Sequence, residues 1–327
     1  MNHKNNDQMA TEKYSRQILL NEIGTEGQQQ LAQKTIAIVG IGALGTVTAE
    51  LSARAGIGNL ILIDRDYIEE SNLQRQSLFT EHDIGKSKVQ TAKEKLQQMN
   101  AQMSIHAEAI SLNQTNINLL KNADLILDCT DNLQTRFLIN DFAKKNNLPW
   151  IYAAAIKTEG YVLPILPSSP CLRCFLQETI AETCDTVGVL NTITHTIASL
   201  QFTIALQILL QKPIKQYLIY INIWTQELKK IKIKQKTSCP SCHNIFPALE
   251  KKEQKMIRFC SAGKFQIQGP KPDFQKLKQQ WQKIDKVIDD TITLRFKNIT
   301  LFKDGHTLIQ AKTEEEAQAT YSKYIGN

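Results

Sequence analysis

TIAIVGIGALGTVTAELSARAG, residues 35–56, reads as a strand, a glycine loop and a helix in that order. TIAIV is apolar and rich in β-branched residues, as a buried strand requires. GIGALG (40–45) comes next, then Leu44, Val47 and Leu51 recur at helical spacing as far as Gly56, a residue suited to close a helix. A turn built from Gly40, Gly42, Ala43 and Gly45 allows a phosphate close to the backbone, where the N–H groups and dipole of the helix N-terminus attract it. The loop serves NAD and ATP equally well.

Outward from it the pattern repeats. NLILID (59–64), MSIHAEA (103–109), DLILDC (124–129) and PWIYAAA (149–155) predict strands. SKVQTAKEKLQQMN (87–100), with Val89, Ala92 and Leu96 on one face, and NLQTRFLINDFAKKN (132–146) predict helices between them. Such alternation implies an α/β fold, a Rossmann-like mostly parallel sheet with helices on both faces, over 35–155. Residues 1–34 read as an N-terminal helical arm. From 156 to 250 the character changes: TEGYVLPILP, QYLIYINIW and ELKKIKIKQK predict antiparallel strands, with a long helix at 193–211. The Lys-rich stretch 250–256 marks a boundary. Beyond it, 256–327 predicts a small α+β domain: a strand (FQIQG), a helix (272–284), two strands (ITLRF and NITLFKDGHTLIQ) and a last helix.

Composition is that of an ordinary globular chain: 327 residues, 42% apolar and 22% charged. The polar N-terminus and interrupted apolar runs give no export or membrane-spanning signal, so a cytoplasmic location is expected. Much of the net charge of +7 lies in KKIKIKQK (229–236) and 251–255. Lys alternating with Ile predicts a half-buried strand with one solvated face, not a nucleic-acid patch.

Residues beyond the glycine loop separate the two nucleotides. Asp64 ends the second strand, where a carboxylate accepts hydrogen bonds from ribose hydroxyls. Ser71, Asn72, Arg75, Gln76 and Lys88 come next, a polar and cationic set that a nicotinamide enzyme does not need beside its ribose carboxylate. A triphosphate attacked at its α-phosphorus does need it, because charge gathers on the non-bridging oxygens and the leaving pyrophosphate. Asp131, with Asn132 after it, sits at the carboxyl edge of the sheet, where it is placed to hold Mg²⁺ against those phosphates. Each residue alone reads more naturally as a surface ion pair or a helix cap; gathered on one sheet edge they read as an ATP site.

Seven cysteines include two C-x-x-C pairs, Cys171/Cys174 and Cys239/Cys242. Paired thiolates of this kind clamp a tetrahedral ion from two sides, and four sulfurs with no open position indicate structural Zn²⁺. His243 is an alternative ligand beside Cys242. Cys129 reads as inert core. Cys184, in the polar loop AETCDTVGVLN, has the setting of an accessible nucleophile and equally of a loop cysteine with no role.

YSRQ (14–17), GIGALG, DRD with SNLQRQ (64–76), GKSK (85–88) and CTDN (129–132) together resemble the ThiF/MoeB/HesA family, ubiquitin-activating-like adenylyltransferases of sulfur carriers. The tail resembles the C-terminal extension of its ThiF/MoeB-like branch. The resemblance implies ATP-dependent adenylation of the Gly-Gly carboxylate of a small ubiquitin-fold sulfur carrier protein, for thiamine-thiazole or molybdopterin biosynthesis. It implies that Asp64 holds the ribose, that Asn72, Arg75 and Lys88 hold the phosphates, and that Asp131 is the magnesium-linked catalytic carboxylate. Arg16 corresponds to an arginine reaching the γ-phosphate of a neighbouring subunit, which implies a homodimer. Cys184 corresponds to a cysteine that in the thiazole branch takes the activated carrier, and the zinc knuckles are a family feature. The tail has no rhodanese-type cysteine, so a separate sulfur donor is expected. The competing readings are a dehydrogenase, a non-catalytic carrier- or RNA-binding scaffold, and a related enzyme that adenylates a small carboxylate on tRNA.

Overall fold

The computed structural model describes residues 12–176, 188–250, 256–258, 264–290, 293–303 and 305–326. Two short helices, α1 (Ser15–Ile18) and α2 (Gly24–Leu31), lead into β1 (Thr35–Val39) and α3 (Ala43–Ala55). Next along the chain are β2 (Asn59–Ile63), α4 (Lys88–Met99), β3 (Ser104–Glu108), β4 (Leu125–Asp128), α5 (Leu133–Lys145) and β5 (Trp150–Ile156). Strands β1 to β5 are parallel, and β1 pairs with both β2 and β4. The chain therefore winds outward in two directions from β1, and the crevice at the carboxyl ends of β1 and β4 is the topological switch point, where α/β sheets bind ligands.

The sheet continues antiparallel through β6 (Glu159–Ile165), β7 (Tyr217–Asn222) and β8 (Glu227–Lys232), giving eight strands in the order β3-β2-β1-β4-β5-β6-β7-β8. Period-2 alternation divides the core. Ile36 and Ile38 of β1 face a cluster with Ala53, Leu96 and Phe202, while Ala37 and Val39 face Phe137, Phe142 and Trp150. Helix α6 (Asn191–Leu209) joins the antiparallel half to the first face and packs on α3. It has the length and composition to cross a membrane, but its Gln201 is fully buried and donates to the Asp128 and Ile151 carbonyls, so it is a core helix here.

The short α7 (Pro247–Glu250) precedes a second sheet. Its elements are β9 (Met256–Arg258), β10 (Lys264–Gln268), α8 (Phe274–Gln282), β11 (Val287–Asp290), β12 (Thr293–Phe296), β13 (Ile299–Phe302), β14 (His306–Gln310) and α9 (Glu314–Tyr324). All its pairs are antiparallel, in the order β11-β12-β13-β14-β10-β9. One face is apolar and meets α8 and α9, with Trp281 stacked on Phe296 at 4.9 Å between ring centres.

Two sequence expectations need correction. The segment after α8 holds four strands instead of two: NITLFKDGHTLIQ is a hairpin turning at Gly305 (φ +94°), and acidic VIDD pairs with β12 although its charges suggest a loop. Strand β8 is exposed along its whole length, not half-buried. It lies at the sheet edge, and Leu228 and Ile231 face solvent in the isolated chain.

Candidate active site

A cavity of about 380 Å³ opens at the switch point, within the size range of small-molecule sites. From β1 and α3 it is lined by Gly40, Gly42 and Ala43. Gly42 is the N-cap of α3, so the helix's first N–H groups face the cavity. Gly45 does not line it; a Cβ there would lie 1.9 Å from the Gly40 carbonyl oxygen, so this glycine lets the helix pack on the loop.

The other sequence-selected residues arrive from β2 and the segment after it. Asp64 accepts from the Ile41 N–H at 2.6 Å and the Asp66 N–H at 2.8 Å. These bonds hold its carboxylate beside the glycine loop, while burial pushes its pKa up against the opposing pull of Lys88. Ser71 and Asn72 line the cavity from a short helical turn, and Arg75 and Gln76 line it from the residues just after. Arg75 donates to the Ser71 carbonyl at 2.8 Å, and Asn72 caps its own turn by accepting from the Glu69 N–H. Gln76 is buried, and its Oε1 has no protein partner, an acceptor left for a bound group.

Lys88 is buried, with Nζ 3.1 Å from Asp66. Burial alone would lower its pKa, but the Asp66 and Asp64 carboxylates outweigh it and hold the ammonium charged. Asp66 is thus a site residue that sequence reading passed over inside the DRD motif. It stands between Lys88 and Arg65, whose Nε lies 3.7 Å away.

On the far wall, Asp131 and Asn132 line the cavity at the end of β4. Asp131 is exposed, while Asn132 caps α5 by accepting from the Thr135 N–H. The loop carrying them is anchored by residues the sequence did not single out. Arg136 donates to Asp128 and to the Thr130 and Ala153 carbonyls, and Asp128 accepts from the Thr130 N–H and hydroxyl. Arg136 looks like a helix-surface cation in sequence; only folding puts it beneath the loop. Arg16 is exposed on α1 and lies outside this chain's cavity lining. Cys184 falls outside the described residues. Cys129 is buried against Gln201, and burial pushes its thiol pKa far up, so it is inert.

The two knuckles meet. The sulfurs of Cys171, Cys174, Cys239 and Cys242 all lie within 4.8 Å of one another, with Cys171–Cys239 at 3.4 Å and Cys174–Cys242 at 3.6 Å. Tetrahedral Zn–S bonds of about 2.3 Å require sulfurs about 3.8 Å apart, so this set fits a metal ion. His243 stays out of it, its Nε2 bonding the Thr237 carbonyl. Asp141 of α5, unmarked in the sequence, ties both knuckles down: it accepts a two-pronged pair from Arg173 at 3.0 and 3.1 Å, the Ser241 hydroxyl at 2.6 Å and the Ala248 N–H at 2.8 Å.

The sequence model of the ThiF family matches residues 14–241. The chain belongs to the ThiF family. It is 33% identical over 335 residues to the sulfur carrier protein ThiS adenylyltransferase of Bacillus subtilis, a match spanning 97% of this chain and 100% of that one. The Escherichia coli protein of the same name is 34% identical, over 70% of this chain and 94% of its own length. An adenylyltransferase and sulfurtransferase MOCS3 of Culex quinquefasciatus is 33% identical over 73% of this chain, which covers 56% of that longer protein. With this membership the ThiF-family chain is an adenylyltransferase. Among solved structures, E. coli MccB with MccA-N7isoASN has the same fold, with a TM-score of 0.62 over 70% of this chain and 74% of that one at 24% identity.

Proposed function

We propose that this ThiF-family enzyme uses ATP to adenylate the C-terminal Gly-Gly carboxylate of a small ubiquitin-fold sulfur carrier, ThiS-like or MoaD-like. The observation that carries the reading is the convergence of Lys88, Arg75 and Asp131 on one cavity beside the α3 N-terminus and Asp64. Asp64 binds the ribose hydroxyls. The α3 N–H groups with Asn72, Arg75 and Lys88 neutralise the triphosphate. Asp131 and the phosphates together would hold Mg²⁺, which supplies charge neutralisation when bound.

The carrier carboxylate is already ionised, so no general base is needed. Its lone pair forms the new C–O–P bond at the α-phosphorus, the α–β bridging P–O bond breaks, and pyrophosphate leaves with the electron pair. Catalysis is therefore positioning and charge stabilisation. Zn²⁺ in the four-thiol cluster is structural. Exposed Arg16 and the uncovered β8 edge suit a homodimer in which Arg16 serves the other subunit's triphosphate. Cys184 would receive the activated carrier, a separate donor would bring sulfur, and the enzyme would work in the cytoplasm.

ATP–pyrophosphate exchange with purified ThiS-like and MoaD-like carriers tests this. The expected result is exchange that needs a carrier and falls by about a hundredfold or more in Asp131→Ala; the better carrier then indicates thiazole or molybdopterin synthesis. No exchange with either carrier would refute the acceptor assignment.

A further inference from the structure

The second sheet has an apolar face covered by its own helices, and the middle of its other face is also buried although it is largely polar. Pairing register puts Gln266, Leu308, Thr300 and Arg295 in one row across β10, β14, β13 and β12. Period-2 alternation turns this row away from the Phe265, Ile309, Leu301 and Leu294 core. Gln266, Leu308 and Thr300 are nonetheless buried.

What covers the row is the rim of the nucleotide cavity. Gln266 Oε1 accepts from Arg65 Nη1 at 2.6 Å and from the Ser111 hydroxyl at 3.2 Å, and Arg65 also donates to Ser111 at 3.1 Å. Arg65 and Ser111 both line the cavity, and so does Leu308, the cross-strand neighbour of Gln266. At the far end of the row, the Arg295 guanidinium lies 5.4 Å from the centre of the Tyr67 ring and so close to Gly85 that a Cβ there would meet it at 2.4 Å. The row thus touches the segment after β2 on both sides of Asp66, the partner of Lys88.

We infer that the C-terminal sheet is a wall of the ATP site: Gln266 is a positioning residue that holds Arg65 and Ser111 in place, and Leu308 is an apolar contact for the nucleoside half of ATP. This rests on the adenylation reading, because Arg65 adjoins the ribose carboxylate Asp64. The chemistry suits binding and not bond-making, since Gln266 and Leu308 carry no charge to offer the phosphates.

The test is ATP affinity of the full chain by calorimetry without carrier, together with KM for ATP and kcat in pyrophosphate exchange. Gln266→Leu removes the acceptor and should raise Kd and KM for ATP about tenfold, while kcat at saturating ATP and KM for carrier stay within about twofold, which also shows that the variant folds. Gln266→Glu keeps an acceptor facing Arg65 and should return Kd to within about twofold of wild type. Leu308→Ala should raise Kd several-fold. Unchanged ATP affinity in Gln266→Leu and Leu308→Ala would overturn the inference and leave the adenylation reading standing. A wild type that binds no ATP would overturn both.

Discussion

Removing the charge from Asp141 should do more damage than its position in the middle of a helix suggests. In Asp141→Asn the Arg173 guanidinium, 4.5 Å from the Phe137 ring centre and largely enclosed, keeps its charge and loses the carboxylate that accepts its two bonds at 3.0 and 3.1 Å. The new amide group also turns at least one donor toward the donors of Arg173, Ser241 or Ala248, all of which now bond to the carboxylate. Breaking a buried pair by deleting one partner costs about 3–5 kcal/mol. For 327 residues, with about 2.1 cal/mol/K of unfolding entropy per residue, 1 kcal/mol moves Tm by about 1.5 °C, so the loss corresponds to about 4–7 °C. Thermal unfolding followed by circular dichroism checks it. The double variant Asp141→Asn/Arg173→Met removes both members of the buried pair and should recover a large part of the loss. The pair also holds the knuckles to α5, so the single variant should surrender its zinc to a chelator sooner than wild type. A Tm within about 1 °C of wild type, or a double variant worse than the single ones combined, would refute the account.

Arg136→Lys should lower kcat for exchange by about tenfold, about 1.4 kcal/mol, because one ammonium cannot serve Asp128, Thr130 and Ala153 together and the Asp131 loop loosens; steady-state kinetics reads it directly. Treatment with a mercurial should release about one zinc per chain, measured with a colorimetric chelator, and Cys239→Ser should abolish that release. Asp83 gives a pH dependence. Burial would raise its carboxyl, but Lys95, Thr80 and Lys86 outweigh it and hold it well below the usual carboxylate range. Its folded value being depressed, its stabilisation is complete above about pH 4, where the unfolded chain's aspartates titrate, and is lost as pH falls further toward the folded value. Wild-type Tm should therefore drop between about pH 4 and 2 more steeply than that of Asp83→Asn, and parallel profiles would count against the assignment.

The parallel half of the fold was legible because its signals are local. β1, the glycine loop and α3 are written consecutively in 35–56, and each later strand is an apolar run between turn residues. The same locality marked Asp64, Arg75, Lys88 and Asp131, each next to a strand end or a short motif, and the C-x-x-C pairs announced a tetrahedral site before folding joined them. The strands after α8 were harder to read. VIDD has no apolar pattern, and its pairing with β12 comes from tertiary contacts; the turn at Gly305 divides what looks like one long strand.

Partnerships across long sequence separations were set by folding alone. Asp141 and Arg136 sit on a helix whose polar residues look like a solvated face, and they become buried anchors because the knuckles and the β4 loop close over them. Gln266 is more than 150 residues from Ser111, and no periodicity in either segment foretells that they bond. Residue spacing encodes backbone conformation, which depends on near neighbours. Which polar groups end up sharing a low-dielectric interior depends on how the sheets and helices stack, and that was settled only when apolar faces with no partner in their own segment found one elsewhere in the chain.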